Sequence, residues 1–437
     1  MSGTGGPGPA TGIESLAEET RSSLGSAVSS YVGRRHGWNG DTPPVTVLDA
    51  VQLRRGRPGL LDVVAEAGSR MVHLPLGLRS PDDHVRVLAD GEDVVLGTVD
   101  DGDGDAVVFD ALRDSETAAL LLAHVAGARV DAAMVRQLRM DDASVTMAME
   151  DRFSFTVFND LAPGSRPEVD VLFALDDAGF NHVAAPMSRW RRGRWDLGVV
   201  QELLSGPSSG RALALTSVRD LYASGGPPEM AGGDFGAEAH RLGTMAARMH
   251  LALDRAFGRR RAGVKLWADA VHSALVARRP EQADRPDVLT LLEELDRLPE
   301  TADAIRTHGD FGLGKTWRTE HGWYVGDLVP GGWPPPAPEG PAPPVIEDDG
   351  VAYRTPLADV ADMMWSLTDV AASAADERDP SGNEGLGELA HAWEQRNRRS
   401  FLAGYLGVPG IAALVPPGRE AVRLLVNALE LERASRA

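Results

Sequence analysis

The chain has no cysteine among its 437 residues. That excludes disulfides, thiolate metal sites and cysteine nucleophiles, so any chemistry runs on carboxylates, hydroxyls, histidines or bound metal. It also lacks any apolar run of about eighteen residues, the length a membrane-crossing helix requires. The opening "MSGTGGPGPATG" has neither the basic region nor the apolar stretch of a secretory signal, so the protein is expected to stay in the cytoplasm. Positive charge is in short supply. Lys plus Arg total 44 against 64 Asp plus Glu, a net charge of −20, which opposes attraction to a phosphate backbone or to anionic lipid. Neither nucleic acid nor a membrane is expected as a partner. Lysine is scarce and Ala, Arg, Gly, Pro and Asp are abundant, a bias that suits a high-GC bacterial genome. What remains is ordinary for a soluble globular protein of two or three domains: 43% hydrophobic and 25% charged residues.

Residues 1 to 12 are rich in Gly, Pro, Ser and Thr and read as a disordered tail. "SLAEETRSSLGSAVSSYVGRR" spaces its apolar residues as a helix, with Ser15 available as N-cap. From Pro44 to about Leu112, short apolar runs such as "VTVLDAVQL", "RMVHLPLGL", "HVRVLADG" and "AVVFDAL" alternate with Gly, Asp and Pro, predicting an antiparallel β unit. Within it "DDGDGDAVVFD" lacks the Gly and terminal Glu of a calcium loop and reads as a solvated turn. "SETAALLLAHVAGARV" predicts a helix, and "FSFTVF" and "RWDLGVVQ" belong to a second β region. Beyond Ser205 the pattern is helical: Leu242, Met245, Ala246, Met249, Leu253 and Ala256 form one stripe, closed by Gly258. The domain reading is therefore a tail over 1–12, a cap over 13–130, a β-rich lobe over 131–205 and a helical lobe over 206–437.

The chemistry concentrates between residues 308 and 359. Phosphoryl transfer to a hydroxyl needs a carboxylate beside the acceptor oxygen and ligands that hold Mg2+ against the phosphates. His308-Gly309-Asp310 puts a carboxylate on a tight loop, and Asp327 follows the apolar "WYV" of an expected strand. Two acids flanking a hairpin can face one cleft. A three-letter motif matches often by chance, so the surrounding stretches decide.

Those stretches, "HGDFGLGKTWRT", "GWYVGDLVPGGWP" and "TPLADVADMMW", resemble the actinobacterial maltokinases, within the aminoglycoside-phosphotransferase-like kinases. "VLDAVQLRRGRPGLLDVV" is similar to that family's N-terminal cap, "LAPGSRPEVDVLFALDDAGFNHVAAPM" to its nucleotide lobe and "WEQRNRRSFLAGY" to its closing sugar-side helix. The resemblance covers nearly the whole chain after residue 13. It implies an α+β, protein-kinase-like two-lobe fold with a β-rich cap, and transfer from ATP, with Mg2+, to the anomeric hydroxyl of maltose. It gives Asp310, beside His308, the place of the catalytic base, Asp327 that of a metal ligand and Asp359 that of a brace for the catalytic loop. Thr156, Asp170, Gln201 and Lys315 fall on the nucleotide side, and Trp393 and Tyr405 in the region that lines the sugar pocket, where core packing is an equal reading.

The departures carry as much information. Lys315 stands where the family has an amide that binds Mg2+; a protonated lysine has donors and no lone pair. Val329 replaces the second acid of the family's D-F-E. Thr156 stands at the phosphate-holding lysine, Asn159 and Asp160 at two arginines, and "DDASVT" at a polar nucleotide loop. Lys315 could instead deliver its own charge to the γ-phosphate. Two readings stay open: a maltokinase-like sugar kinase with an altered site, and a pseudokinase that keeps the fold as a sugar- or partner-binding module. "VPGGWPPPAPEGPAPPVIEDDG" is too rich in proline to join a sheet and reads as an extended segment, either a surface insertion or a lid or protein-docking element carrying Trp333.

Overall fold

A computed structural model describes residues 14–15, 18–35, 45–83, 94–100, 104–162, 164–230, 233–298, 301–328, 345–348, 351–382 and 385–436. The N-terminal tail, "HVRVLADG", Val329 and the proline-rich stretch to residue 344 lie outside them, as do residues 101–103 of the acidic run. The chain divides into two compact units, Met1–Arg166 with Pro186–Leu203, and Pro167–Ala185 with Leu204–Ala437. The cap and β-rich stretches fall in the first unit, apart from residues 167–185 and 204–205.

In the first unit, strand β1 (Glu14–Ser15), helix α1 (Glu18–Arg35) and strands β2 (Val45–Arg54), β3 (Gly59–Ala67), β4 (Arg70–Arg79), β5 (Val95–Asp100) and β6 (Asp105–Asp110) build an antiparallel sheet of order β1-β2-β3-β4-β6-β5. Helix α1 begins later than its sequence pattern suggests. Ser15 does not cap it, because its backbone pairs with Val51 of β2. Leu24, Val28 and Val32 pack with Leu61, Val63 and Leu74 of the sheet. Strand β3, "GLLDVVAEA", escapes an alternation test because all of it but Glu66 is buried.

Helix α2 (Ser115–Ala126) follows, capped by Asp114, whose side chain accepts from the N–H groups of Glu116 and Thr117, and closed by Gly127 in the left-handed conformation. Strands β7 (Val135–Met140), β8 (Ser144–Met149) and β9 (Phe153–Phe158) lead into helix α3 (Pro167–Asp177), and β10 (Pro186–Arg192) and β11 (Trp195–Glu202) complete a second antiparallel sheet, order β10-β11-β9-β8-β7. The two sheets are tied together. His73 N–H donates to the Asn159 carbonyl and Leu161 N–H to the Met71 carbonyl, each at 2.8 Å. The buried His73 ring spans Asp62 and the Phe158 carbonyl, both at 2.7 Å, and Arg192 meets Asp62 at 3.0 Å.

The second unit contains β12 (Ser208–Ser209), α4 (Gly210–Ser224), α5 (Gly236–Phe257), α6 (Val264–Arg278), α7 (Pro280–Ala283), α8 (Pro286–Asp296), the hairpin β13 (Thr316–Thr319) and β14 (Gly322–Val325), a second hairpin β15 (Ile346–Asp348) and β16 (Val351–Tyr353), and helices α9 (Leu357–Arg378), α10 (Gly387–Leu406) and α11 (Arg419–Ala434). Helix α5 buries its expected stripe from Leu242 to Leu253 and ends at Gly258; Ala256 is exposed. Among the described residues no helix is long and apolar enough to cross a membrane.

Helices α5 and α10 approach backbone to backbone. A Cβ on Gly243 would sit 2.0 Å from the Phe401 carbonyl oxygen, and one on Gly404 2.0 Å from that of His240. Both obstacles are backbone atoms, which no rotamer change can move aside. Gly404→Ala is therefore expected to lower stability by about 3 kcal/mol, the upper end of overpacking costs, read as an earlier denaturant midpoint at unchanged slope.

Candidate functional site

The loop carrying the His-Gly-Asp motif is held from beneath by one carboxylate. Asp359, in the first turn of α9 and fully buried, accepts the backbone N–H of His308 at 2.7 Å and of Gly309 at 3.0 Å. It also accepts from His250 Nε2 at 3.0 Å, and His250 Nδ1 takes the Tyr405 hydroxyl at 2.9 Å. Burial works to raise the Asp359 carboxyl. His250 and the Gly309 N–H outweigh it and hold the group below the usual carboxylate range. Gly309 has φ of +93°, where a side chain would be strained. The farther end of the loop is fixed by Ser366, whose hydroxyl accepts the Leu313 N–H at 3.0 Å.

His308 is fully buried, and both ring nitrogens are engaged. Nε2 donates to the Gly326 carbonyl at 2.9 Å and Nδ1 accepts the Asp310 N–H at 3.3 Å. Burial pulls this imidazole below its ordinary value, against Asp359 and the Gly326 carbonyl. The ring thus ties the loop to the residue just ahead of Asp327 and fixes the backbone of Asp310.

Asp310 projects outward, with nearly half of its side chain exposed. Lys315 Nζ lies 3.9 Å from its carboxylate and 3.4 Å from that of Asp327. Asp327 itself has φ of +50°, a conformation Asp tolerates better than most residues. On the other side, Arg433 of α11 comes within 3.7 Å of Asp310, pairs with Asp362 at 3.2 Å and covers the Trp365 ring at 4.4 Å. Burial pushes the Asp362 carboxyl up to about 7, against the pull of Arg354.

The donor set does not fit Mg2+, which requires near-octahedral oxygen ligands at about 2.0–2.1 Å. Both acids that would supply oxygens are already shared by one ammonium, Lys315 Nζ. Lysine is also a rare choice in this chain. Lys265 and Lys315 are its only two, leaving 44 − 2 = 42 arginines. An ammonium is a compact, strongly hydrated point charge on a flexible four-carbon stem.

The other predicted residues fall on elements of both units. Thr156 on β9 and Gln201 on β11 belong to neighbouring strands of the second sheet, and the Thr156 hydroxyl is 3.0 Å from that of Thr146. Asn159 is buried, and Asp160 pairs with Arg70 at 3.0 Å. The expected nucleotide loop "DDASVT" spans the β7–β8 turn and the start of β8, where Asp141 accepts the N–H groups of Ala143 and Ser144. Asp170 lies on α3, in the second unit. Trp393 and Tyr405 are in the core. The Trp393 indole donates to Ser217 at 3.0 Å and its ring stacks on Phe235, while the Tyr405 hydroxyl is used on His250. Sequence reasoning did not single out His250, Ser366 or Arg433. A histidine inside the apolar stripe of α5 was the one available signal.

No family model matches the chain. Among solved structures it is similar to a glucosamine kinase in complex with glucosamine, ADP and inorganic phosphate, with a TM-score of 0.59 and 21% identity over 95% of this chain and 93% of that one. A second crystal form of glucosamine kinase matches at 0.57 and 20%, over 93% of this chain and 91% of that one. Likeness at this identity establishes the fold, a mixed helix-and-sheet kinase-like architecture with an N-terminal antiparallel sheet and a helical C-terminal part.

Proposed function

We propose that this chain is a sugar-binding protein descended from sugar kinases in which metal-dependent transfer from ATP has been given up. The observation that carries the reading is Lys315 Nζ, within 3.4 Å of Asp327 and 3.9 Å of Asp310. In a working site, metal charge would stabilise the phosphates at that point, and removing one such stabiliser typically costs on the order of 10² to 10³ in rate. Thr156 in place of the family's lysine adds a second loss. Asp310 and Asp327 then serve as polar contacts for sugar hydroxyls, with His308 and Asp359 positioning them. Thr156, Asp170 and Gln201 mark the former nucleotide side, and 13–130, 131–205 and 206–437 the former cap, nucleotide lobe and sugar-side lobe. The resemblance to maltokinases makes maltose the first sugar to test, and the glucosamine bound by the similar structure makes that the second.

Thermal unfolding with each ligand tests this directly. A bound sugar raises the midpoint by mass action, whereas Mg2+ and ATP leave it unchanged. A rise with Mg2+ and ATP that Asp327→Ala removes would contradict the proposal. A second reading keeps turnover, favoured by the intact Asp359 brace under His308 and Gly309. There the Lys315 ammonium stands in for the metal, and the signature is sugar-dependent ATP consumption that persists when divalent ions are chelated.

A further inference from the structure

Away from the Asp310 loop, the second unit contains a half-open cavity of about 210 Å³ lined by Gly179, Phe180, Asn181, His182, Arg248, Leu251 and Arg255. We infer that this cavity is a binding site for a phosphate group, free or carried on a small metabolite.

Arg248, Leu251 and Arg255 share one face of α5 at spacings of three and four residues, so both guanidiniums border the same hollow. Among the described residues no carboxylate pairs with either arginine; Arg255 donates to the Ala178 carbonyl at 3.3 Å. The next arginine along, Arg259, is by contrast tied to Asp254 with Nε at 2.8 Å from the carboxylate. Two uncompensated guanidiniums in one cavity of a chain with net charge −20 make a local positive potential that an anion would fill. Guanidinium forks match phosphate oxygens bidentately, and Asn181 adds amide donors at the rim.

His182 completes the lining. Its Nδ1 donates to the Trp323 carbonyl at 2.8 Å, and its own carbonyl accepts the Val325 N–H at 2.8 Å. No described residue engages Nε2, which is left for a ligand. The volume favours a small anion, since pockets for drug-sized ligands run about 300–1,000 Å³. Because His182 grips β14 at Trp323 and Val325, and that strand ends two residues before Asp327, a bound anion is linked by direct hydrogen bonds to the strand positioning Asp327. The inference does not depend on whether the Asp310 loop transfers phosphate.

Calorimetric titration of inorganic phosphate, and separately of a hexose phosphate, into the full chain tests it. The expected result is one saturable site, weakened at least about tenfold by Arg248→Gln and by Arg255→Gln and abolished in the double variant. Arg297→Gln, exposed just past the end of α8, should bind as the unaltered protein does. Tighter binding of the hexose phosphate would identify a phosphorylated sugar as ligand, and equal binding the free anion. Both arginines are exposed, so the variants should fold, which their melting curves would verify. Absence of saturable binding of either probe, or equal affinity in the double variant, would overturn the assignment.

Discussion

Replacing Asp359 with alanine is expected to destabilise the protein by about 3–5 kcal/mol, the cost of removing one partner from a buried charged network. The carboxylate accepts three hydrogen bonds, from His308, Gly309 and His250, and it is fully buried. Truncation leaves all three donors without a partner and without water, and each unsatisfied buried group costs about 1–3 kcal/mol. The pH dependence should agree in sign. The folded-state carboxyl is held below its ordinary value, so the unfolded chain binds the proton more readily and stability rises with pH. That contribution is complete above the unfolded carboxylate value of about 3.9 and is lost as pH falls through the lower folded value. Denaturant unfolding from pH 5 down to 2 should therefore show an acid loss that Asp359→Asn reduces. A variant as stable as the parent, with the same acid profile, would show that the loop is held by other means.

The second large effect is expected at Lys315. Its ammonium touches both carboxylates, and its replacement by asparagine removes a positive charge while adding an amide oxygen able to ligate. Unit charges about 4 Å apart are worth about 4 kcal/mol at an effective dielectric near 20, and partial exposure reduces this to about 1 kcal/mol per pair. Two pairs support a gain in Mg2+ affinity of about tenfold or more for Lys315→Asn, measured by calorimetry with and without ATP. Lys315→Arg should show no gain, since the charge is kept. Equal Mg2+ binding by the parent and Lys315→Asn would mean that the lysine does not occupy the metal's place.

Much of this was legible before any coordinates. The β-rich first half and the helical second half follow from runs such as "FSFTVF" and from the stripe on α5, and the family resemblance of the three stretches around Asp310, Asp327 and Asp359 implies the kinase-like fold. Local pattern was informative there because each element buries one face. It was silent for β3, which is buried almost throughout and shows no alternation, and misleading for Ser15, where pairing with Val51 took the residue that capping chemistry favoured. At the site, the sequence identified Lys315 as a departure, but a single chain does not show where a four-carbon stem delivers its charge. That Nζ reaches both acids depends on the tight turn at Leu313–Lys315. The contributions of His250 and Arg433 come from helices 58 residues before and 123 residues after His308 and Asp310, and spacing carries no trace of such encounters.

The most direct test of the central claim is a single-turnover transfer assay, with labelled ATP and Mg2+ in the presence of maltose or glucosamine and enzyme in excess. The account predicts no labelled sugar from the unaltered protein above the rate without enzyme. Mg2+-dependent transfer to either sugar, abolished by Asp327→Ala, would contradict it and return the chain to the working kinases.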